Sequence, residues 1–421
     1  MHRLIYVCLD GLGDEPVPEL DGRTPLEAAA TPILDDLARR GRQGLVYTVG
    51  PDVAPESDIA VFAILGYDPR EDHPGRGVLE AIGSDMEFED GDLALRVNFA
   101  TAEDGRIVDR RVGRDLPSED ARALAEEVNR RLRLPGAGFE LRATVEHRGA
   151  LVIRAEEGRL SANVGNTDPA YAKQGSLGVA LDEFEDRVAE SEPLDDTREA
   201  ERAAELTNTF VREAAEILDA SEVNARRLEE GRLPANLILT RDAGDRVPRL
   251  TPIKDRFGPS WGCFVEMPVE RGIALVLGMG EVEAPRQPDP AERYAAWAGL
   301  AAEAIEGYDA LYIHIKGPDV PAHDGRAEDK RDIIEAIDRS FFGGLLPAVD
   351  PARTVLAVTA DHATSCVRKA HTADPVPLVV AGPGVPPDGT DSFGERVAAD
   401  GAIGTVRGTA VLPTLVGLLR V

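Results

Sequence analysis

Leu4-Ile-Tyr-Val-Cys-Leu-Asp-Gly-Leu-Gly-Asp14 is an apolar run that ends in an aspartate and a glycine-rich turn. Two later runs follow the same plan: Ala310-Leu-Tyr-Ile-His-Ile315 shortly before Asp319, and Thr354-Val-Leu-Ala-Val-Thr359 shortly before Asp361. Each is rich in β-branched residues and too short to cross a membrane, so each reads as a buried strand. In an open parallel sheet, ligands bind beyond the carboxyl ends of the strands, which is where these aspartates would converge. His323 follows Asp319 by four residues, His362 directly follows Asp361, and His371 lies a little further on. Carboxylates and imidazoles gathered at strand ends suit one or two divalent metals, so the pattern predicts an α/β metalloenzyme.

Length and composition narrow the possibilities. A chain of 421 residues exceeds what one hydrophobic core usually fills, which predicts two domains. Its 76 acidic against 47 basic residues, a formal charge of -29, oppose attraction to nucleic acid or an anionic membrane. Cys8, Cys263 and Cys366 are widely spaced, form no paired ligand motif and cannot all pair within one chain, which suits a reducing cytoplasm. The first strand begins too early for a signal peptide, and no apolar run approaches membrane-spanning length, so a cytoplasmic protein is expected.

Texture along the chain places the domains. Thr31 followed by Pro32 reads as a helix start, giving a strand, loop and helix unit at the beginning. From about residue 90, Leu93 to Phe99, Arg106 to Asp109, Phe139 to Val145 and Leu151 to Arg154 alternate apolar with polar residues, predicting an antiparallel sheet with one wet face. A helical pattern from Thr197 to Leu218 follows, and Glu229 to Pro234 makes a plausible boundary. Strand and helix signals then alternate again. The expectation is a mostly parallel sheet flanked by helices in 1–85 and 235–421, interrupted by an inserted α+β domain at 86–234. The acidic stretch Asp182 to Asp196 reads as a solvated surface segment.

Asp319 and His323 at i, i+4 would share one side of a helical turn, although Pro321 favours a loop or a first turn. Such a pair is commonly a surface hydrogen bond; it gains meaning only beside Asp10, Asp361, His362 and His371. Ser57 lies where a proline-led turn meets the apolar pattern Ile59 to Leu65, which sets its hydroxyl near a helix N-terminus. There it is either an ordinary capping serine or, beside metals that lower its pKa, a nucleophile. Arg76, Arg110, Arg111 and Arg114 are candidate anion binders, although an arginine in such a position more often faces solvent.

Several of these stretches together resemble the archaeal-type cofactor-independent phosphoglycerate mutases, a family of the alkaline phosphatase superfamily. The resemblance is carried by Leu9 to Asp14, Thr24 to Pro32, Ala63 to Pro69, Arg96-Val-Asn-Phe-Ala-Thr101 and Asp109-Arg-Arg-Val-Gly-Arg114. It continues through Pro318 to Gly325, Thr359-Ala-Asp-His362 and His371 to Pro377, in fixed order over nearly the whole chain. It implies an alkaline-phosphatase-like core and two divalent ions, typically manganese, with zinc, magnesium or cobalt compatible with the same donors. One ion would be held by Asp319, His323 and His371, the other by Asp10, Asp361, His362 and Ser57. Ser57 would take the phosphoryl group from a small phosphorylated carboxylate, and the glycerate would reorient and take it back at its other hydroxyl. The inserted domain would supply arginines for the carboxylate, Arg111 and Arg114 foremost, and exclude water.

Three positions depart from the family's pattern. Val61 and Ala170 stand where histidines are expected, and Ser260 stands where a lysine is common. Such changes in the substrate shell leave open a phosphohydrolase, another phosphotransferase such as the proposed homoserine kinases, or a non-catalytic metal-binding module. Oligomeric state is not legible from these residues.

Overall fold

The computed structural model describes residues 2–174, 177–181, 183–284 and 289–419, and the chain divides into two compact units. The first comprises Met1–Asp72, Leu250–Glu266 and Ala274–Val421. Its eight-stranded sheet runs Gly280–Glu281, Trp261–Phe264, Ala310–Ile315, Arg3–Leu9, Thr354–Thr359, Val376–Ala381, Arg42–Tyr47, Gly404–Arg407. Val376–Ala381 is antiparallel to both neighbours, and every other pairing is parallel. The three apolar runs form the centre, with Cys8 level with His314 on one side and Thr359 on the other. All six residues of Ala310–Ile315 and of Thr354–Thr359 are buried, as unbroken apolar runs require when a sheet is covered on both faces.

Helices cover this sheet. Pro32–Arg40 starts with Pro32 at its first position and Thr31 at the N-cap, although the Thr31 hydroxyl makes no capping bond. Ser57–Ile64 is buried along almost its whole length and packs against Gly408–Leu418. The pattern read over Ala327 to Leu345 is one helix, Ala327–Ile337, that widens into a π turn at Asp338–Phe342. There it meets the helix Pro290–Ala304.

The second unit comprises His73–Arg249 and Met267–Ile273. Its main sheet is antiparallel, built on Leu93–Glu103, which pairs with Arg106–Asp109, Arg148–Ala155 and Leu237–Gly244, while Ala137–Ala143 flanks Arg148–Ala155. Helices Ser118–Arg131 and Arg198–Asp219 bury their apolar stripes on this sheet, and Thr197 caps the second through the Ala200 amide. The expected wet face is absent from the central strand. Nine consecutive residues of Leu93–Glu103 are buried, because the helix Arg76–Gly83 lays Val78 and Ala81 against Ala94, Ala150 and Val152 on the other face. This packing also sets the bounds of the unit. Arg76–Gly83 and Leu237–Gly244 both lie outside the segment 86–234 read from the sequence, and both pack on Leu93–Glu103. Asp182, the first residue of the acidic stretch, is outside the described residues, and from Glu183 to Arg187 the stretch is exposed.

Cys8, Cys263 and Cys366 are buried and form no disulfide among the described residues. Among the described residues no helix is long and apolar enough to cross a membrane.

Candidate active site

The carboxyl edge of the first unit's sheet gathers the three aspartates. Asp10 leaves its strand with its amide donating to the Ile315 carbonyl, 3.0 Å away. Asp361 Oδ1 accepts the amides of Gly11 and His362, both at 3.0 Å, which leaves Oδ2 facing inward. Gly11 is required here, since its φ is +62° and a Cβ would lie 2.7 Å from Thr364 Oγ1 and 2.8 Å from Asp319 Cβ. Asp319 opens a single helical turn, Asp319–His323, and Pro321 is accommodated within its first turn.

Two donor groups result. In one, His323 Nε2 and His371 Nε2 each lie 3.5 Å from Asp319 Oδ1. In the other, His362 Nε2 lies 3.5 Å from Asp10 Oδ1 and 3.3 Å from Asp361 Oδ2. Each group can hold a metal ion. All three imidazoles have Nδ1 against an oxygen: Lys369 O at 3.1 Å for His323, Pro55 O at 2.8 Å for His371 and Thr364 Oγ1 at 3.0 Å for His362. These contacts at Nδ1 turn each Nε2 toward the carboxylates, the usual arrangement of metal-binding histidines. A third group, Cys8, His314 and Asp361, shares Asp361 with the second, and His314 Nε2 lies 3.6 Å from Asp361 Oδ2.

Electrostatics fit a cation. Asp10 Oδ1, Asp361 Oδ2 and His314 Nε2 are buried without a hydrogen-bond partner among the described residues, an expensive arrangement unless an ion satisfies them. Burial and the neighbouring Asp10 charge push the Asp361 carboxyl well above its usual range. Burial is the largest effect on Asp10 and opposes its charge, but Lys316 Nζ, 3.1 Å from Oδ2, together with His362 and His314 holds that carboxyl low. Burial, then the His371 charge, pulls His362 down to about 3, so its ring is neutral. A neutral imidazole beside two crowded carboxylates is a donor set for a divalent ion.

Ser57 is the first residue of its helix, with Glu56 rather than Ser57 at the N-cap. It is therefore no capping serine. Its Oγ, partly exposed, lies 3.1 Å from His362 Nε2, which places a hydroxyl against the second donor group.

Arg76, Arg110, Arg111 and Arg114 all belong to the second unit. Arg110 is committed there, with Nε and Nη2 donating to the two Asp168 oxygens at 2.9 and 2.7 Å and its guanidinium over Tyr171. Arg76 Nε lies 3.4 Å from Glu80. Arg111 is held below its ordinary pKa by burial, with Arg114 and Arg110 adding to the effect. The sequence reading missed Arg96. Its Nε and Nη1 are buried without hydrogen-bond partners among the described residues, and burial, then Arg241 and Arg76, lowers its pKa to about 9. Its signal was a charged residue at the centre of an apolar strand pattern, in the motif Arg96 to Thr101. Lys316 was also missed, although it directly follows the strand that leads to Asp319 and is one of only five lysines.

Ser260 is corrected. It precedes the strand Trp261–Phe264 at the amino edge of the sheet, where Oγ donates to Asp309 Oδ2 at 2.7 Å. A lysine there would extend from the edge opposite the aspartates. Val61 is fully buried within Ser57–Ile64, and Ala170 is buried in the second unit beside Asp168.

An open, mostly parallel α/β sheet with two carboxylate–imidazole groups and a serine at its carboxyl edge defines the class of this protein. The family model of 2,3-bisphosphoglycerate-independent phosphoglycerate mutase matches residues 38–224. The mutase of that name from Aeropyrum pernix is 42% identical, covering 99% of both chains, and that of Methanopyrus kandleri is 39% identical, covering 98% of this chain and 96% of its own. Among solved structures, a Pyrococcus horikoshii protein aligns with a TM-score of 0.81 at 30% identity, over 100% of this chain and 97% of its own. A cofactor-independent phosphoglycerate mutase from Thermoplasma acidophilum aligns at 0.63 and 32% identity over 100% of both. The chain belongs to the 2,3-bisphosphoglycerate-independent phosphoglycerate mutase family.

Proposed function

We propose that this chain interconverts 3-phosphoglycerate and 2-phosphoglycerate without bisphosphoglycerate, through a phosphoserine at Ser57. The observation that carries the reading is the Ser57 hydroxyl, 3.1 Å from His362 Nε2 in the Asp10, Asp361 and His362 group. Family membership supplies the substrate class, a small phosphorylated carboxylate. Ser57 Oγ attacks phosphorus, the bond from phosphorus to the glycerate oxygen breaks, and the serine proton ends on the departing oxygen. The C2 hydroxyl of the retained glycerate then attacks the phosphoserine, and Ser57 recovers a proton.

Two divalent ions, manganese by the family's pattern, are proposed at Asp319, His323 and His371 and at Asp10, Asp361, His362 and Ser57. When bound they neutralise the phosphoryl oxygens and lower the pKa of the serine hydroxyl. Lys316 offsets the charge of Asp10 from the protein side. The second unit is proposed as the substrate and lid domain, with Arg96 and Arg111 the leading groups for the substrate carboxylate, because Arg110 already serves Asp168.

The test incubates the manganese-loaded protein with 3-phosphoglycerate and no bisphosphoglycerate, following 2-phosphoglycerate and free phosphate together. 2-Phosphoglycerate that disappears in Ser57→Ala supports the mutase. Phosphate alone assigns a hydrolase, and neither product overturns the reading.

A further inference from the structure

Thr364 touches both donor groups. Its side chain is fully buried on the short strand Ala363–Ser365, whose register sets it opposite His371. Its backbone is pinned on both sides: the amide donates to Gly13 O at 2.9 Å, and its carbonyl accepts from Lys330 Nζ at 2.9 Å. The hydroxyl therefore has little freedom. Oγ1 donates to Asp319 Oδ1 at 2.7 Å and lies 3.0 Å from His362 Nδ1. A hydroxyl has one proton to give, and an ionised carboxylate can only accept. Thr364 consequently gives its proton to Asp319 and accepts the Nδ1 proton of His362. Asp319 Oδ1 is the oxygen that faces His323 and His371, whereas His362 faces Asp10 and Asp361.

We infer that Thr364 is a positioning residue that joins the two cation groups into one hydrogen-bonded unit, fixing the His362 tautomer and making occupancy of one group favour occupancy of the other. The inference rests on the metal-dependent reading above. An ion that orders Asp319 orders the Thr364 hydroxyl, which in turn holds the His362 ring with Nε2 toward the second group. Partners of this kind change metal affinity by about 10–100-fold when removed. Valine at 364 keeps the volume and removes both bonds, while serine keeps both.

Two readouts on the full-length chain test it. Long-range nitrogen NMR of the histidine rings in the metal-free protein should show His362 protonated at Nδ1 in wild type and Thr364→Ser, and a mixture or the other tautomer in Thr364→Val. Calorimetric titration with manganese should show coupled binding of two ions in wild type and Thr364→Ser. In Thr364→Val the coupling should vanish and the weaker site should lose about tenfold or more in affinity. An unchanged tautomer in Thr364→Val overturns the positioning role, and unchanged coupling overturns the link. Absence of manganese binding in wild type sinks the metal reading and, with it, the coupling, and the tautomer result then decides the hydrogen-bond role on its own.

Discussion

Lys330 Nζ lies 2.9 Å from Asp14 Oδ2, and both side chains are fully buried. The ammonium also donates to the carbonyls of Gly13 and Thr364, both at 2.9 Å, so all three of its protons are used. The pair ties the loop after the first strand to the strand that carries Thr364. Lys330→Met would leave Asp14 as an unpaired buried charge. Denaturant unfolding should show a loss of about 3–5 kcal/mol, whereas the double change with Asp14→Leu should recover much of it.

Gly11→Ala tests the same loop from the other end. The left-handed φ of +62° alone costs an L-residue about 1–2 kcal/mol, and the new methyl meets Thr364 and Asp319 at under 3 Å. The Asp361 carboxylate, which accepts the Gly11 amide, would also be displaced. Manganese affinity should fall by more than the loss in global stability explains; equal falls would mean the loop is only scaffolding.

Strong periodic signals made the core of the first unit legible. Three apolar runs, each ending near an aspartate, place Asp10, Asp319 and Asp361 at one sheet edge whatever the intervening chain does. Spacing carries no such information for Thr364 or Arg96. Thr364 matters because a hairpin pairs it with His371, and Arg96 because two strands from far along the chain, Arg148–Ala155 and Leu237–Gly244, flank it while the helix Arg76–Gly83 closes the face opposite the main helices. The Leu93–Glu103 strand misled for the same reason: alternation reports side chains leaving the backbone on two faces, and a second covering layer buries both. Ser57 was ambiguous because a cap and a first helical residue differ by one position, which backbone dihedrals decide and composition does not.

Glu395 should give stability a pH dependence opposite to that of an ordinary carboxylate. Thr24 Oγ1 donates to it at 2.7 Å and the Asp14 amide at 3.3 Å. Burial dominates these bonds and pushes its pKa from 4.5 up to about 7. The folded state thus holds the proton more tightly than the unfolded chain. The contribution is fully present below the unfolded value and is lost as pH rises through the folded one, so stability falls between about pH 4.5 and 7. Glu395→Gln should flatten that slope in melting temperature measured across the window; an unchanged slope assigns it to other groups.

Arg96 sets function against stability. Its guanidinium is buried at the centre of a sheet, two of its nitrogens lack partners among the described residues, and burial together with Arg241 and Arg76 disfavours its charge. His147, held neutral by burial and by the surrounding arginines with a pKa down to about 2, reports the same positive field. A chain selected for stability alone would gain by replacing such a group, since each unsatisfied buried donor costs about 1–3 kcal/mol. Arg96→Met should therefore unfold at equal or higher denaturant concentration than wild type. Because Arg96 is also a proposed group for the substrate carboxylate, the same variant should raise KM for 3-phosphoglycerate at least tenfold, and substrate should stabilise wild type but not the variant against unfolding. A variant that is less stable and unchanged in KM would make Arg96 a structural residue and remove it from the substrate site.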